Sequence, residues 1–221
     1  MRFIRSNDPS LGEAALAHRL KMSLAAGEHV LWLVSGGSNI ATSVAVMAEL
    51  QRDLPAALPR LTVMLTDERF GPVGHADSNW QQLIETGFNF EKVLAIPVLL
   101  GSPLEVTVEK YAEEVAKNFS AADVVIAQFG IGADGHIGGV LPHSPATESS
   151  ALVAGYEAGP FTRITLTPVA LGRVDIAFAL AFGESKKVAL ANLQNHDASL
   201  TAEPCQILKQ LPEAYLFTDQ S

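Results

Sequence analysis

Hydrophobic and polar positions along this chain alternate between two kinds of run. Short, nearly continuous apolar stretches stand at 29–34 (HVLWLV), 61–65 (LTVML) and 123–129 (DVVIAQF). So little polar interruption predicts strands buried on both faces, as in a parallel sheet. Between and around them, 11–26, 40–52, 104–118 and 185–193 have helical spacing and a helix-favouring composition. Further strands are expected at 163–167, 175–182 and 213–218. Alternating strands and helices predict an α/β, doubly wound architecture: a mainly parallel sheet with helices on both faces. No internal repeat, low-complexity segment or Pro/Gly/Ser linker interrupts the pattern, so a single domain over 1–221 is expected.

Two loop-like stretches, 66–79 and 130–147, each follow a predicted strand. Ligands of open α/β sheets bind outside the carboxyl ends of strands, where such loops gather. A third turn, Ser35-Gly36-Gly37-Ser38, joins a buried strand to a helix. Its glycines allow close backbone approach, and free N–H groups at the helix start attract an anion such as phosphate. The same residues equally suit a tight turn with a serine N-cap. No Gly-Lys-Ser/Thr follows, and the pattern is not GxGxxG, so neither a P-loop nor a dinucleotide fingerprint is present.

The 66–79 loop opens with Thr66-Asp67-Glu68-Arg69. Three charges at the end of an apolar strand are costly to bury unless paired or bound. Arg69 suits bidentate contact with phosphate or carboxylate oxygens, or a salt bridge to Asp67 or Glu68. Ser78 and Asn79 are candidate caps for a following helix. In GIGADGHIGGVLP, residues 130–142, five glycines surround Asp134 and His136. A histidine carries protons near neutral pH, and a neighbouring carboxylate fixes its tautomer. Packing does not require so many glycines around an acid and a base, whereas ligand access to the backbone does. Gly183-Glu184-Ser185-Lys186-Lys187 places lysines at a helix start, suited to phosphate or to plain solvation.

Composition narrows the partners. The formal net charge is -9, with 48% hydrophobic and 18% charged residues. An acidic chain with no Lys/Arg cluster is not expected to bind nucleic acid or an anionic membrane. Cys205 is the only cysteine; it permits no intrachain disulfide and is expected to be a buried small residue. No secretory segment opens the chain and no apolar run approaches bilayer length, so a soluble cytoplasmic protein is expected. His75, His136, His143 and Asp134 make a metal set on paper. Without HExxH or a close His pair, no metal is expected. Without GxSxG, a serine hydrolase is not expected.

Taken in order, SGGS, TDERFGPVGHADSN, GIGADGHIGGVLP, RITLTP and GESKK resemble the 6-phosphogluconolactonase family, within the larger group that includes glucosamine-6-phosphate deaminases. The likeness runs from about Leu31 to Asp219. It implies a modified Rossmann-like fold, no organic cofactor, and hydrolysis of 6-phosphoglucono-δ-lactone, a sugar-phosphate step of the oxidative pentose phosphate pathway. It implies catalysis by His136 with Asp134 as its neighbour. It assigns Ser35, Gly36, Gly37, Ser38, Asp67, Arg69, Arg163 and Lys186 to the sugar phosphate. Monomer and dimer both remain open. The chain departs from the family's usual DGHTASLFP, and its Ile137 is closer to the deaminase DGHIAFNEP. That deaminase pattern needs a glutamate where this chain has Leu141. The rival readings are therefore a deaminase/isomerase-like enzyme and a non-catalytic sugar-phosphate-binding domain.

Overall fold

The computed structural model of the protein describes residues 1–220. In chain order the elements begin β1 (Arg2–Arg5), α1 (Ser10–Ala25), β2 (Val30–Val34), α2 (Ile40–Asp53), β3 (Leu61–Leu65), β4 (Asp67–Arg69) and α3 (Asn79–Thr86). Next come β5 (Leu94–Ile96), α4 (Leu104–Ala121), β6 (Val124–Phe129), α5 (Pro145–Glu148) and β7 (Val153–Ala158). The chain ends with β8 (Phe161–Leu166), α6 (Pro168–Leu171), β9 (Ile176–Leu180), α7 (Lys187–Asn195) and β10 (Glu213–Thr218).

Seven strands form one sheet in the order β1-β10-β9-β6-β2-β3-β5, and every pairing in it is parallel. Every residue of β2, β6 and β9 is buried. Successive side chains point to opposite faces, so both faces are covered. Full burial of one large apolar side chain stabilises by roughly 1.5–3 kcal/mol, and β2 supplies Leu31, Trp32 and Leu33 with no exposure. Trp32 continues into an aromatic chain: its ring lies 5.8 Å from Phe88, which lies 4.6 Å from Phe90, which stacks on Trp80 at 4.4 Å. This chain pins α3 to the sheet.

The sheet order reverses at β2. The chain runs outward from β2 through β3 to β5, then returns to place β6 on the other side of β2. Loops leaving β2 and β6 therefore part in opposite directions and open a crevice at their carboxyl ends. The SGGS turn follows β2, and the Asp134–His136 segment follows β6.

Three sequence expectations are corrected. The stretch 66–79 is not all loop: Asp67–Arg69 forms β4. The 163–167 strand is Phe161–Leu166 and lies outside the main sheet, in a three-stranded antiparallel sheet of order β4-β8-β7. The last helix begins at Lys187, because Glu184–Lys186 is a 3-10 turn. Charged and short strands carry little apolar periodicity, and β1 and β5 escaped notice for the same reason; β7 buries only Val153 and Tyr156, three positions apart, and so shows no period-2 alternation. No helix among the described residues is long and apolar enough to cross a membrane.

Candidate active site

A cleft of about 270 Å³ opens at the crevice, lined by residues from five separate segments. The floor is the turn after β2. Gly36 and Gly37 lead into a short 3-10 helix that runs on into α2. No side chain caps this start, so the serine N-cap anticipated there is absent. The leading N–H groups of such a start have no intrahelical partner and face an incoming anion favourably. Ser38 is exposed. Ser35 lines the cleft, but its hydroxyl is engaged beneath the floor: it donates to the Gln128 carbonyl at 2.8 Å and lies 2.8 Å from Thr66 Oγ1.

One wall is the small sheet. Arg69 and Arg163 are direct partners across β4 and β8. Like charges placed opposite one another repel, and a single carboxylate tempers them: Asp67 Oδ2 lies 3.5 Å from Arg163 Nη1. Arg69 pairs with neither Asp67 nor Glu68. Its Nη1 donates to the Asp77 carbonyl at 3.3 Å and its guanidinium lies 5.3 Å from the Phe161 ring centroid. The Nε atoms of both arginines are buried without a hydrogen-bond partner. Buried donors left unpaired cost about 1–3 kcal/mol each. Lys186, from the turn after β9, adds a third cation.

Glu68 points the other way and organises the wall. Its Oε1 accepts from the amides of Arg69 (2.7 Å) and Asn79 (2.6 Å), its Oε2 from Ser78 Oγ (2.8 Å) and the Trp80 amide (3.0 Å). Burial pushes the Glu68 carboxyl above the usual carboxylate range, against the pull of those four donors. Ser78 caps α3 by accepting from the Gln81 amide at 3.1 Å, as its sequence position suggested.

The opposite wall carries the ionisable pair. Asp134 Oδ1 lies 2.6 Å from His136 Nδ1 and accepts from the His136 amide at 3.2 Å. Partial burial raises the Asp134 pKa, but the His136 charge and the two hydrogen bonds from His136 pull it further down, leaving it below the ordinary aspartate value. An ionised Asp134 holds a proton on Nδ1, which leaves Nε2 as the free base. His136 lines the cleft, and Asp134 stands behind the ring. Gly132 is required here by space: a methyl carbon at that position would lie 2.0 Å from His136 Nδ1 and 2.5 Å from Asp134 Oδ1.

Residues 11–216 match the family model described as glucosamine-6-phosphate isomerases/6-phosphogluconolactonase. The chain belongs to that family. A 6-phosphogluconolactonase from Pseudomonas aeruginosa is 29% identical over 188 residues, which is 80% of this chain and 76% of the relative. A crystal structure of a 6-phosphogluconolactonase from Shewanella baltica superposes with a TM-score of 0.82 at 19% identity, covering 99% of this chain and 97% of the other. A monomeric glucosamine-6-phosphate deaminase gives a TM-score of 0.79 at 17% identity, covering 99% and 97%. The fold is thus common to both branches of the family, and the side chains must discriminate between them.

The cleft brings together nine of the ten residues that the resemblance assigned, and the tenth, Asp134, supports His136. Sequence reasoning missed Asn79 as a lining residue, along with Gly130, Ile131 and Gly138. Asn79 is fully buried, donates from Nδ2 to the Asp67 carbonyl at 2.8 Å, and presses Oδ1 against Gly36. Its position after a serine cap concealed a second task. The paper metal set does not assemble: His75 Nε2 lies 2.9 Å from the Arg69 carbonyl. Among the described residues, no group of three His, Cys, Asp or Glu side chains is placed to hold a metal. Cys205 is fully buried, and desolvation pushes its thiol up to about 12.

Proposed function

We propose that this protein hydrolyses 6-phospho-D-glucono-1,5-lactone to 6-phospho-D-gluconate, in the oxidative pentose phosphate pathway and in the cytoplasm. The observation that carries this reading is one imidazole, oriented by a carboxylate, in a cleft that also holds three cations and an uncapped helix start. The named relatives support the choice of lactone.

Arg69, Arg163, Lys186 and the amides of the glycine turn grip the phosphate, remote from the carbonyl. Binding energy spent there fixes the ring against His136. His136 Nε2 removes a proton from water as the water oxygen attacks the lactone carbonyl. The tetrahedral intermediate collapses with cleavage of the bond to the ring oxygen, and the imidazolium returns its proton to that oxygen. Asp134 stabilises the imidazolium between the two steps. Such acid–base assistance is worth about 100- to 10,000-fold. Leu141, partly buried against the core, stands where the deaminase pattern needs a glutamate, so this site lacks the carboxylate for amine chemistry.

The test is a coupled assay in which glucose-6-phosphate dehydrogenase generates the lactone and its disappearance is followed with and without this protein. Hydrolysis well above the spontaneous rate is expected, and His136→Ala should fall to that background while still binding 6-phosphogluconate. No acceleration by the parent protein would leave only a binding domain. Release of ammonia from glucosamine 6-phosphate would transfer the assignment to the deaminase branch.

A further inference from the structure

We propose that Tyr156, on β7, is a positioning residue whose hydroxyl sets the His136 loop at a fixed distance from the two arginines. The idea rests on the lactonase reading for its kinetic readout only. The 130–142 segment has no regular secondary structure. It is held internally by isolated bridges between Ile131 and Ile137 and between Ile137 and Val140, and by the Gly132 amide donating to the His136 carbonyl. A backbone so lightly braced needs outside anchors to hold a base in place.

The small sheet supplies them just downstream of the histidine. The Tyr156 hydroxyl donates to the Gly139 carbonyl at 2.5 Å and accepts from the Leu141 amide at 3.3 Å. Thr165 Oγ1 accepts from the Gly139 amide at 3.2 Å. Tyr156 is 7% exposed and Thr165 fully buried, so no water competes freely for these bonds.

The register explains why this anchor matters for chemistry. Tyr156 is paired with Arg163, and Arg163 with Arg69. Partners directly opposite in an antiparallel ladder project to the same face. One row across three strands therefore carries both phosphate-facing guanidiniums and, at its end, the hydroxyl that holds the base's loop. The Cys205 amide holds the loop on the other side of His136, donating to the Gly135 carbonyl at 2.9 Å, and the small sheet ties the downstream side directly to the two arginines. A misplacement of about 1 Å in such an arrangement costs on the order of 100-fold in rate.

Tyr156→Phe keeps the ring and removes only the anchor. The expected result is a fall in kcat of about 10- to 100-fold, with KM for the lactone and Kd for 6-phosphogluconate nearly unchanged. The control is Tyr111→Phe, which also deletes a buried hydroxyl bonded to a backbone carbonyl (Leu65, 2.6 Å) but lies outside the cleft lining. It should lose comparable thermal stability and keep kcat. A readout independent of turnover is the His136 imidazole NMR signal: Tyr156→Phe should shift or broaden it and leave His18 and His29 untouched. Thr165→Val, which cuts the neighbouring anchor, should repeat the pattern and serves if Tyr156→Phe does not fold. A parent-like kcat with an unmoved His136 signal overturns the proposal, and so does an equal kcat loss in Tyr111→Phe. If the parent protein proves not to be a lactonase, the imidazole signal still decides the point.

Discussion

Asp134 and His136, two positions apart, share their hydrogen bond across a turn of the backbone. The turn is made at Gly135, with φ of +83°. The motif was legible because its residue types are rare companions. What could not be read was the pressure of neighbours distant in sequence. Gly36 looks like a generic turn glycine, yet a methyl carbon on it would lie 2.0 Å from Asn79 Oδ1 and 2.3 Å from Asn79 Cγ. Asn79 cannot swing away cheaply, since Nδ2 is bonded to the Asp67 carbonyl and its amide to Glu68. Gly36→Ala should therefore cost about 1–3 kcal/mol as an overpacking change, read by urea denaturation. It should also raise KM, because the floor of the cleft is displaced. A variant with parent stability and parent KM would show that the turn yields freely.

Among the elements, the long apolar strands and α1, α2, α4 and α7 were visible, since burial on two faces and a 3.6-residue period leave strong marks in sequence. β4 left none, because its three residues are Asp67, Glu68 and Arg69. Alternation explains how three charges can occupy a strand: Asp67 and Arg69 project to the cleft side with Arg163, and Glu68 projects away into the cluster of donors at the start of α3. Glu68 is thus a buried joint between β4 and α3, a function no local pattern announces. Glu68→Ala leaves four donors without their acceptor, and a loss of at least about 3 kcal/mol is expected. Chemical denaturation measures it. A loss below about 1 kcal/mol, within the range of a single ordinary hydrogen bond, would mean that water or the backbone replaces the carboxylate.

For the whole molecule, the governing fact is the reversal of strand order at β2, which opens one crevice into which five chain segments lead. The overall charge of -9 opposes an anionic ligand, so capture depends on cations brought close together by the fold. Arg69 arrives on the small sheet, Lys186 on the turn after β9, and neither has a carboxylate of its own among the described ion pairs. Sequence separation hid this convergence, as two residues 117 positions apart line one cleft. A hydrogen bond to a charged group contributes about 1.5–3 kcal/mol, and partial exposure of both side chains reduces that toward the lower end. Arg69→Ala and Lys186→Ala should each raise KM by about tenfold, the equivalent of 1.4 kcal/mol, with much smaller effects on kcat because neither touches the reacting carbonyl. In the proposed phosphate site both would hold the same anion, so the double variant should lose less than the sum of the two. Steady-state kinetics of the three variants decides it: an unchanged KM in both single variants would remove these cations from the phosphate site and detach the cleft's charge from its chemistry.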